Sequence, residues 1–274
     1  EDNFSITTKG RETELPIGFS VSALDGSFAG VVIIIRDVTA DRELDEAKSG
    51  FISVASHQLR TPLTSIRWYS EMLLAEDTGP LNESQKDFMR EIHGGAERLY
   101  QTVDLLLGIS RVESGKMKSE KIAINLGEFT EGITKELRSQ MNVKNLVLSV
   151  VPPPGDGVIV TLDPITLRQV VLNLVSNAIR YTNAQGFVEI KWWWGDDGKE
   201  IIYMVHDNGI GIPDSEHSHM FSKFFRAENA RAQVPDGSGL GLALVKDLVE
   251  SWGGKIWYDS REGSHTTFFF TIPR

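Results

Sequence analysis

Four short segments carry residue types whose spacing could do phosphoryl chemistry. The first is Ser56-His57-Gln58-Leu59-Arg60-Thr61-Pro62-Leu63-Thr64. A neutral imidazole can attack an electrophilic phosphorus to give phosphohistidine, while a lone helix-surface histidine is equally consistent with a solvated side chain. The second is the amphipathic run from Leu167 to Ala178, which sets Asn173 and Asn177 one turn apart on a single face. Their amide oxygens could complete a Mg²⁺ shell together with phosphate oxygens and water, or serve as surface amides and caps. Third comes Asp207-Asn208-Gly209-Ile210-Gly211-Ile212-Pro213, directly after the strand-like run Ile201 to His206. Two close glycines let backbone approach a flat ligand, and Asp207 can accept a hydrogen bond from an amine such as that of adenine; a plain turn has the same composition. The fourth, Gly237-Ser238-Gly239-Leu240-Gly241-Leu242, runs into a helical stretch whose first amides favour phosphate. It differs from a dinucleotide fingerprint, because the third glycine comes one residue early and no parallel βαβ unit surrounds it.

These segments need elements to hold them. From Asp41 apolar residues recur every three or four positions (Leu44, Ala47, Phe51, Leu59, Leu63, Ile66, Tyr69, Leu73), which predicts one long helix bent, not ended, at Pro62. After the break at Thr78-Gly79-Pro80, Phe88, Ile92, Ala96, Leu99, Val103, Leu106 and Ile109 predict a second helix. The pair makes an antiparallel hairpin whose stripes a second copy would bury, giving a dimeric four-helix bundle. His57 falls on the exposed side of the first helix. Beyond Lys116, strands at Val147 to Val151, Val158 to Thr161, Phe187 to Trp193, Ile201 to His206, Lys255 to Tyr258 and Thr266 to Ile272 alternate with helices at Leu126 to Met141, Pro164 to Ile179 and Leu240 to Trp252. That predicts an α/β sandwich with mostly antiparallel strands and helices on one face. Before the hairpin, Phe4 to Thr8, Leu15 to Leu24 and Phe28 to Arg36 read as antiparallel strands, too few for a stable sheet and so expected to end a domain that starts upstream.

Composition narrows the classes. The 274 residues include 28 Lys and Arg against 38 Asp and Glu, a net charge of −10, which argues against a broad nucleic-acid surface. Hydrophobic residues at 41% and charged ones at 24% are those of soluble globular domains, and the absence of Cys excludes disulfides and Cys-ligated zinc. The densest early apolar run, Val31 to Ile35, is far too short to cross a membrane.

Taken together and in order, the segments resemble the sensor histidine kinases of two-component systems over nearly the whole chain. SHQLRTPLT is similar to the phosphoacceptor box, NLVSNAIRYT to the asparagine box, DNGIGIP to the first glycine box, FSKFFR to the phenylalanine box and GSGLGL to the second glycine box. The start resembles the last strands of a PAS sensor domain, ending in Arg36-Asp37-Val38-Thr39. The implied fold class is α+β and multidomain: residues 1–38 the end of a PAS-like antiparallel sheet, 39–116 a signalling helix and dimerising phosphotransfer hairpin, and 117–274 an α/β-sandwich catalytic domain.

Carried over by position, the resemblance implies that His57 is autophosphorylated and that Thr61 helps orient water for dephosphorylating a partner regulator. It assigns Asn177 to Mg²⁺, Asn173 to the phosphate region, and Arg180 and Tyr181 to the nucleotide's surroundings. Asp207 reads the adenine amine, Gly209 and Gly211 lie beside the base, and Arg226 reaches the terminal phosphate. Gly237, Gly239, Leu240 and Gly241 close over the phosphates, and residues 227–236 form a mobile lid ordered by nucleotide. The implied cofactors are ATP and Mg²⁺. The implied partners are a response-regulator receiver domain and a second copy of the chain, with no nucleic acid and no membrane contact from this cytoplasmic segment, whether or not the whole protein is anchored.

Two positions depart from the family pattern. Gln58 stands where an acidic residue usually follows the histidine; its amide oxygen can fix the imidazole tautomer but cannot take the proton, which implies a slower kinase step. His265 stands where a second glycine is common, with little expected consequence. The alternatives are an ATPase that drives conformational change, a phosphatase-biased protein, and a non-catalytic scaffold with an ATP-binding domain.

Overall fold

The computed structural model describes residues 17–24, 30–37, 39–113, 120–153, 157–196, 198–235 and 237–274. The chain divides into two compact units, residues 1–55 and 56–274. In the first, β1 (Ile17–Leu24) pairs antiparallel with β2 (Gly30–Asp37) in a register running from Ile17 opposite Asp37 to Leu24 opposite Gly30. The strand expected at Phe4 to Thr8 lies outside the described residues. Asp37 Oδ1 accepts from the Thr39 N–H at 2.9 Å and the Thr39 hydroxyl at 2.6 Å, so its carboxylate occupies the start of α1 (Thr39–Leu74) and is held below its usual pKa.

The helix α1 runs through Pro62 without ending, as the resumed apolar spacing requires. It turns through residues 75–82 into α2 (Glu83–Glu113), which opens on a reciprocal cap. Asn82 Oδ1 accepts from the Gln85 N–H while Gln85 Oε1 accepts from the Asn82 N–H, both at 2.9 Å. The hairpin register is written in charged pairs: Arg60 with Asp104 at 2.8 Å and Arg67 with Glu97 at 2.6 Å, seven residues apart in opposite directions. Tyr100 lies between them, with the Arg67 guanidinium 4.7 Å from its ring centroid. Leu63, Ala96 and Val103 form the hairpin's own small core. Part of the expected stripe is not covered within the hairpin: Leu59, Ile66, Tyr69, Phe88, Ile92 and Leu99 are exposed, because two helices can bury only the facing edge of each stripe.

The remaining elements form two sheets and a helical layer. One sheet pairs β3 (Ile122–Asn125), a strand the sequence pattern did not reveal, antiparallel with β5 (Ile159–Leu162). The other contains β4 (Val147–Val151), β6 (Phe187–Trp194), β7 (Glu200–Asp207), β8 (Ile256–Arg261) and β9 (His265–Pro273) in the order β4-β6-β7-β9-β8, with β4–β6 parallel and every other pairing antiparallel. Alternate residues face inward: Val188, Ile190 and Trp192 on β6, Ile201, Tyr203 and Val205 on β7, and Phe268, Phe270 and Ile272 on β9. They pack against α3 (Leu126–Val143), α4 (Pro164–Tyr181) and α6 (Gly241–Ser251) in one continuous core. Leu105 and Leu106 of α2 also pack on this core. Among the described residues, no helix is long and apolar enough to cross a membrane.

Candidate functional site

The helix α4 is held at its start by Asp163, whose side chain accepts from the Ile165 N–H at 2.8 Å, with Pro164 in the first turn where its missing N–H costs nothing. Leu167, Val170, Val171, Leu174, Val175 and Ala178 are buried, which turns Asn173 and Asn177 to the opposite side. There they line a cavity of ≈1110 Å³. Asn173 Nδ2 donates to the Gln169 carbonyl at 2.8 Å, fixing the amide so that its oxygen faces Gly241. A Cβ at Gly241 would stand 2.7 Å from that oxygen, so the glycine is what lets α6 start beside α4.

Across the cavity, β7 ends at Asp207, which is 4% exposed. Burial pushes its carboxyl up to about 7, although the Gly209 N–H donates to Oδ1 at 2.9 Å and the charge on His265 pulls the other way. His265 Nε2 itself lies 3.2 Å from Asp259 Oδ2. The glycine loop is pinned on both sides. Ile210 N–H donates to the Tyr181 carbonyl at 3.2 Å and Gly263 N–H to the Ile210 carbonyl at 2.7 Å. At Gly211, φ is +64° and a Cβ would fall 2.0 Å from the Arg261 carbonyl, so no other residue fits there without moving backbone.

The segment 227–236, expected as a lid ordered by nucleotide, contains a short helix, α5 (Glu228–Gln233). Its start is held by Glu216, whose two carboxylate oxygens accept from the Glu228 N–H at 3.2 and 3.1 Å. Asn229 Nδ2 ties it to the Gly211 carbonyl at 2.9 Å, leaving Asn229 Oδ1 buried and unpaired. Arg226, expected to reach the terminal phosphate, lines the cavity, but its guanidinium donates to the carbonyls of Pro235 at 2.6 Å, Gly237 at 3.3 Å, Ala230 at 3.4 Å and Val234. The exposed carbonyls at the end of α5 draw it there. Neither Glu216 nor Asn229 stood out in the sequence, since their partners lie 12 and 18 residues away.

Ten of the twelve residues assigned to the nucleotide line this one cavity: Asn173, Asn177, Arg180, Tyr181, Asp207, Gly211, Arg226, Gly237, Gly239 and Gly241. Gly209 and Leu240 do not. Gly209 is buried where a Cβ would meet the Tyr181 carbonyl at 2.5 Å, and Leu240, 1% exposed, points into the core and offers only backbone. Gln58 and Thr61 are exposed on α1 beside the buried Ser56; the His57 side chain lies outside the described residues. Among the described residues α1 contributes none to the cavity, whereas α2 contributes its face from Gly95 to Leu105. The donor set suits Mg²⁺: amide oxygens at Asn173 and Asn177, with no cluster of three acidic or histidine ligands among the described residues, match an ion held chiefly by phosphate and water.

Two family models match the chain: the His Kinase A (phospho-acceptor) domain over residues 47–115 and the Histidine kinase-, DNA gyrase B-, and HSP90-like ATPase over residues 162–274. The circadian input-output histidine kinase CikA of Synechococcus elongatus is 36% identical over 228 residues, 83% of this chain and 30% of that protein. The sensor histidine kinase WalK of Bacillus subtilis is 33% identical over 262 residues, 95% of this chain and 42% of that protein. The chain therefore spans less than half the length of these relatives. Full-length ShkA, solved in complex with AMPPNP, shares the fold with a TM-score of 0.67 at 22% identity, over 82% of this chain and 45% of that one. The Acinetobacter baumannii histidine kinase AdeS gives 0.56 at 22% identity, over 79% of this chain and 97% of that one. With both domains matched in order, the chain belongs to the sensor histidine kinases of two-component systems.

Proposed function

We propose that this chain binds ATP with Mg²⁺ in the cavity between α4 and the glycine loop, transfers the γ-phosphoryl group to His57, and passes it to an aspartate on a response-regulator receiver domain. The observation that carries this reading is the convergence of Asn177, Asp207, Gly211 and Gly239 on one cavity from segments far apart in sequence. Asp207, buried at the end of β7, accepts the adenine amine, and Gly211 lets backbone lie against the base. Asn177 holds Mg²⁺, which would neutralise phosphate charge when bound, and Asn173 supports the phosphate region. The new bond forms between an imidazole nitrogen and the γ-phosphorus as the bond to the ADP oxygen breaks. The imidazole proton leaves to solvent, because the Gln58 amide can orient the ring but not accept its proton.

A rotation or shift of the α1 stripe changes how His57 faces the cavity. Release of His57 leaves Thr61, exposed one turn on, available to a docked regulator for dephosphorylation. The uncovered stripe of Leu59, Ile66, Tyr69, Phe88, Ile92 and Leu99 supports a homodimer through the hairpin. The β1–β2 hairpin and the Asp37 cap on α1 support a PAS-like sensor end feeding the signalling helix. Gln58 favours a second reading, a protein biased toward phosphatase or scaffold duty.

Incubation with γ-labelled ATP and Mg²⁺ tests the proposal. Acid-labile, alkali-stable label that disappears in His57→Ala establishes the kinase, and a faster Gln58→Glu variant establishes the role of the amide. ATP binding without label selects the second reading.

A further inference from the structure

The C-terminal turn of α4 is where the Mg²⁺-facing helix meets the adenine-side loop, and every carbonyl from 178 to 182 has a donor. Ala178 O accepts from the Thr182 N–H at 3.0 Å and the Thr182 hydroxyl at 2.6 Å, and Tyr181 O accepts from Ile210 N–H of the glycine loop at 3.2 Å. The other three, Ile179 O, Arg180 O and Thr182 O, all accept from a single side chain, the Lys144 ammonium, at 2.9, 2.6 and 3.0 Å. Three acceptors match the three N–H bonds of a charged ammonium, and a cation is favoured at a helix C-terminus. Lys144 comes from the turn after α3, 35 residues or more from its partners, and its own carbonyl accepts from the Gln185 N–H at 2.9 Å. It is therefore fastened at both ends to the 179–186 segment. Burial and the nearby Arg180 charge depress its pKa, so the ammonium is held in place against a desolvation cost.

We propose that Lys144 is a positioning residue for nucleotide binding: by closing the end of α4 it sets Asn177 and Tyr181 against the Asp207–Gly211 loop, so that the metal-side and base-side contacts are made by one rigid frame. Lys144 does not line the cavity. Its effect passes through Tyr181 O, the one carbonyl of the turn that the glycine loop itself engages. The proposal rests on the cavity being an ATP site.

The test is calorimetric titration of the chain with Mg–ATP for wild type, Lys144→Met, Lys144→Arg and Tyr203→Phe, with urea denaturation of each. Tyr203→Phe loosens the same core at the sheet, away from the cavity, and serves as the stability reference. Lys144→Met is expected to weaken Mg–ATP binding about tenfold, with a matching rise in KM for ATP and little change in maximal rate, and Lys144→Arg to recover most of it. Tyr203→Phe is expected to bind as wild type despite its lost stability. Equal binding by wild type and Lys144→Met overturns the proposal, and so does weakening that merely tracks stability in both variants. Should Lys144→Met fail to fold, Lys144→Gln, which offers two N–H bonds where three are needed, carries the same comparison. No Mg–ATP binding by the wild type overturns the reading of the site instead.

Discussion

Replacing Asp207 by Asn should make the nucleotide-free protein more stable above neutral pH while weakening its hold on ATP. Asp207 is 4% exposed at the end of β7, and burial raises its carboxyl from 3.8 to about 7. Between these values the unfolded chain has released the proton and the folded chain keeps it, so stability falls as pH rises from about 4 to about 7 and is level beyond. At about 1.4 kcal/mol per pKa unit, the full cost of the buried charge is about 4 kcal/mol above pH 7. Asn retains an oxygen to accept from Gly209 N–H, at 2.9 Å in the wild type, and carries no charge to desolvate. Urea denaturation of both proteins from pH 5 to pH 9, without nucleotide, reads the difference directly. The variant's advantage should be about 1.6 kcal/mol at pH 5, grow toward pH 7 and then stay constant, while Mg–ATP titration at pH 8 shows weaker binding. A variant no more stable than wild type at pH 8, or one whose advantage is the same at pH 5 and pH 8, refutes the reasoning. Such a result would place water or a counter-charge beside Asp207 that burial and His265 do not supply.

Glycine substitutions should split into two classes. Gly211→Ala, with φ at +64° and backbone 2.0 Å from the new Cβ, should lower the melting temperature by the equivalent of roughly 3 kcal/mol. Gly241→Ala meets the Asn173 side-chain oxygen at 2.7 Å rather than backbone, and should weaken Mg–ATP binding in a calorimetric titration with a smaller loss of melting temperature. Tyr203→Phe removes the hydroxyl that lies 2.8 Å from Thr130 Oγ1 in the core, and leaving that oxygen unpaired should cost about 1–2 kcal/mol in urea denaturation. Arg67→Ala breaks the Glu97 pair and the contact with Tyr100, costing about 1 kcal/mol at low salt and less at high salt, since the pair is partly solvated.

Much of the architecture was legible along the chain because its signals are local. The three- and four-residue spacing marked α1 and α2, its resumption after Pro62 told that α1 does not end there, and strand-like runs marked β6, β7 and β9. The strand β3 was missed because four residues, two of them exposed, give no usable period. The helix α5 was missed because a sequence with a nearby Pro and few large apolar residues reads as a loop, while the Glu216 carboxylate and the Arg226 guanidinium that close its ends come from outside the helix.

By itself the sequence determined which residue types could bind a phosphorylated nucleotide and on which elements they ride: amides one turn apart on a helix, an acid at a strand end, glycines before a helix. Tertiary structure alone decided how they act. The pairing order β4-β6-β7-β9-β8 brings Asp207 beside His265, burial raises its proton affinity, and Arg226 is engaged by the carbonyls at and after the end of α5. Hydrogen bonds and desolvation depend on what the rest of the chain places within about 3 Å. No local pattern carries that information: Lys144 meets α4, and Gly211 meets Arg261, only after the chain has closed on itself.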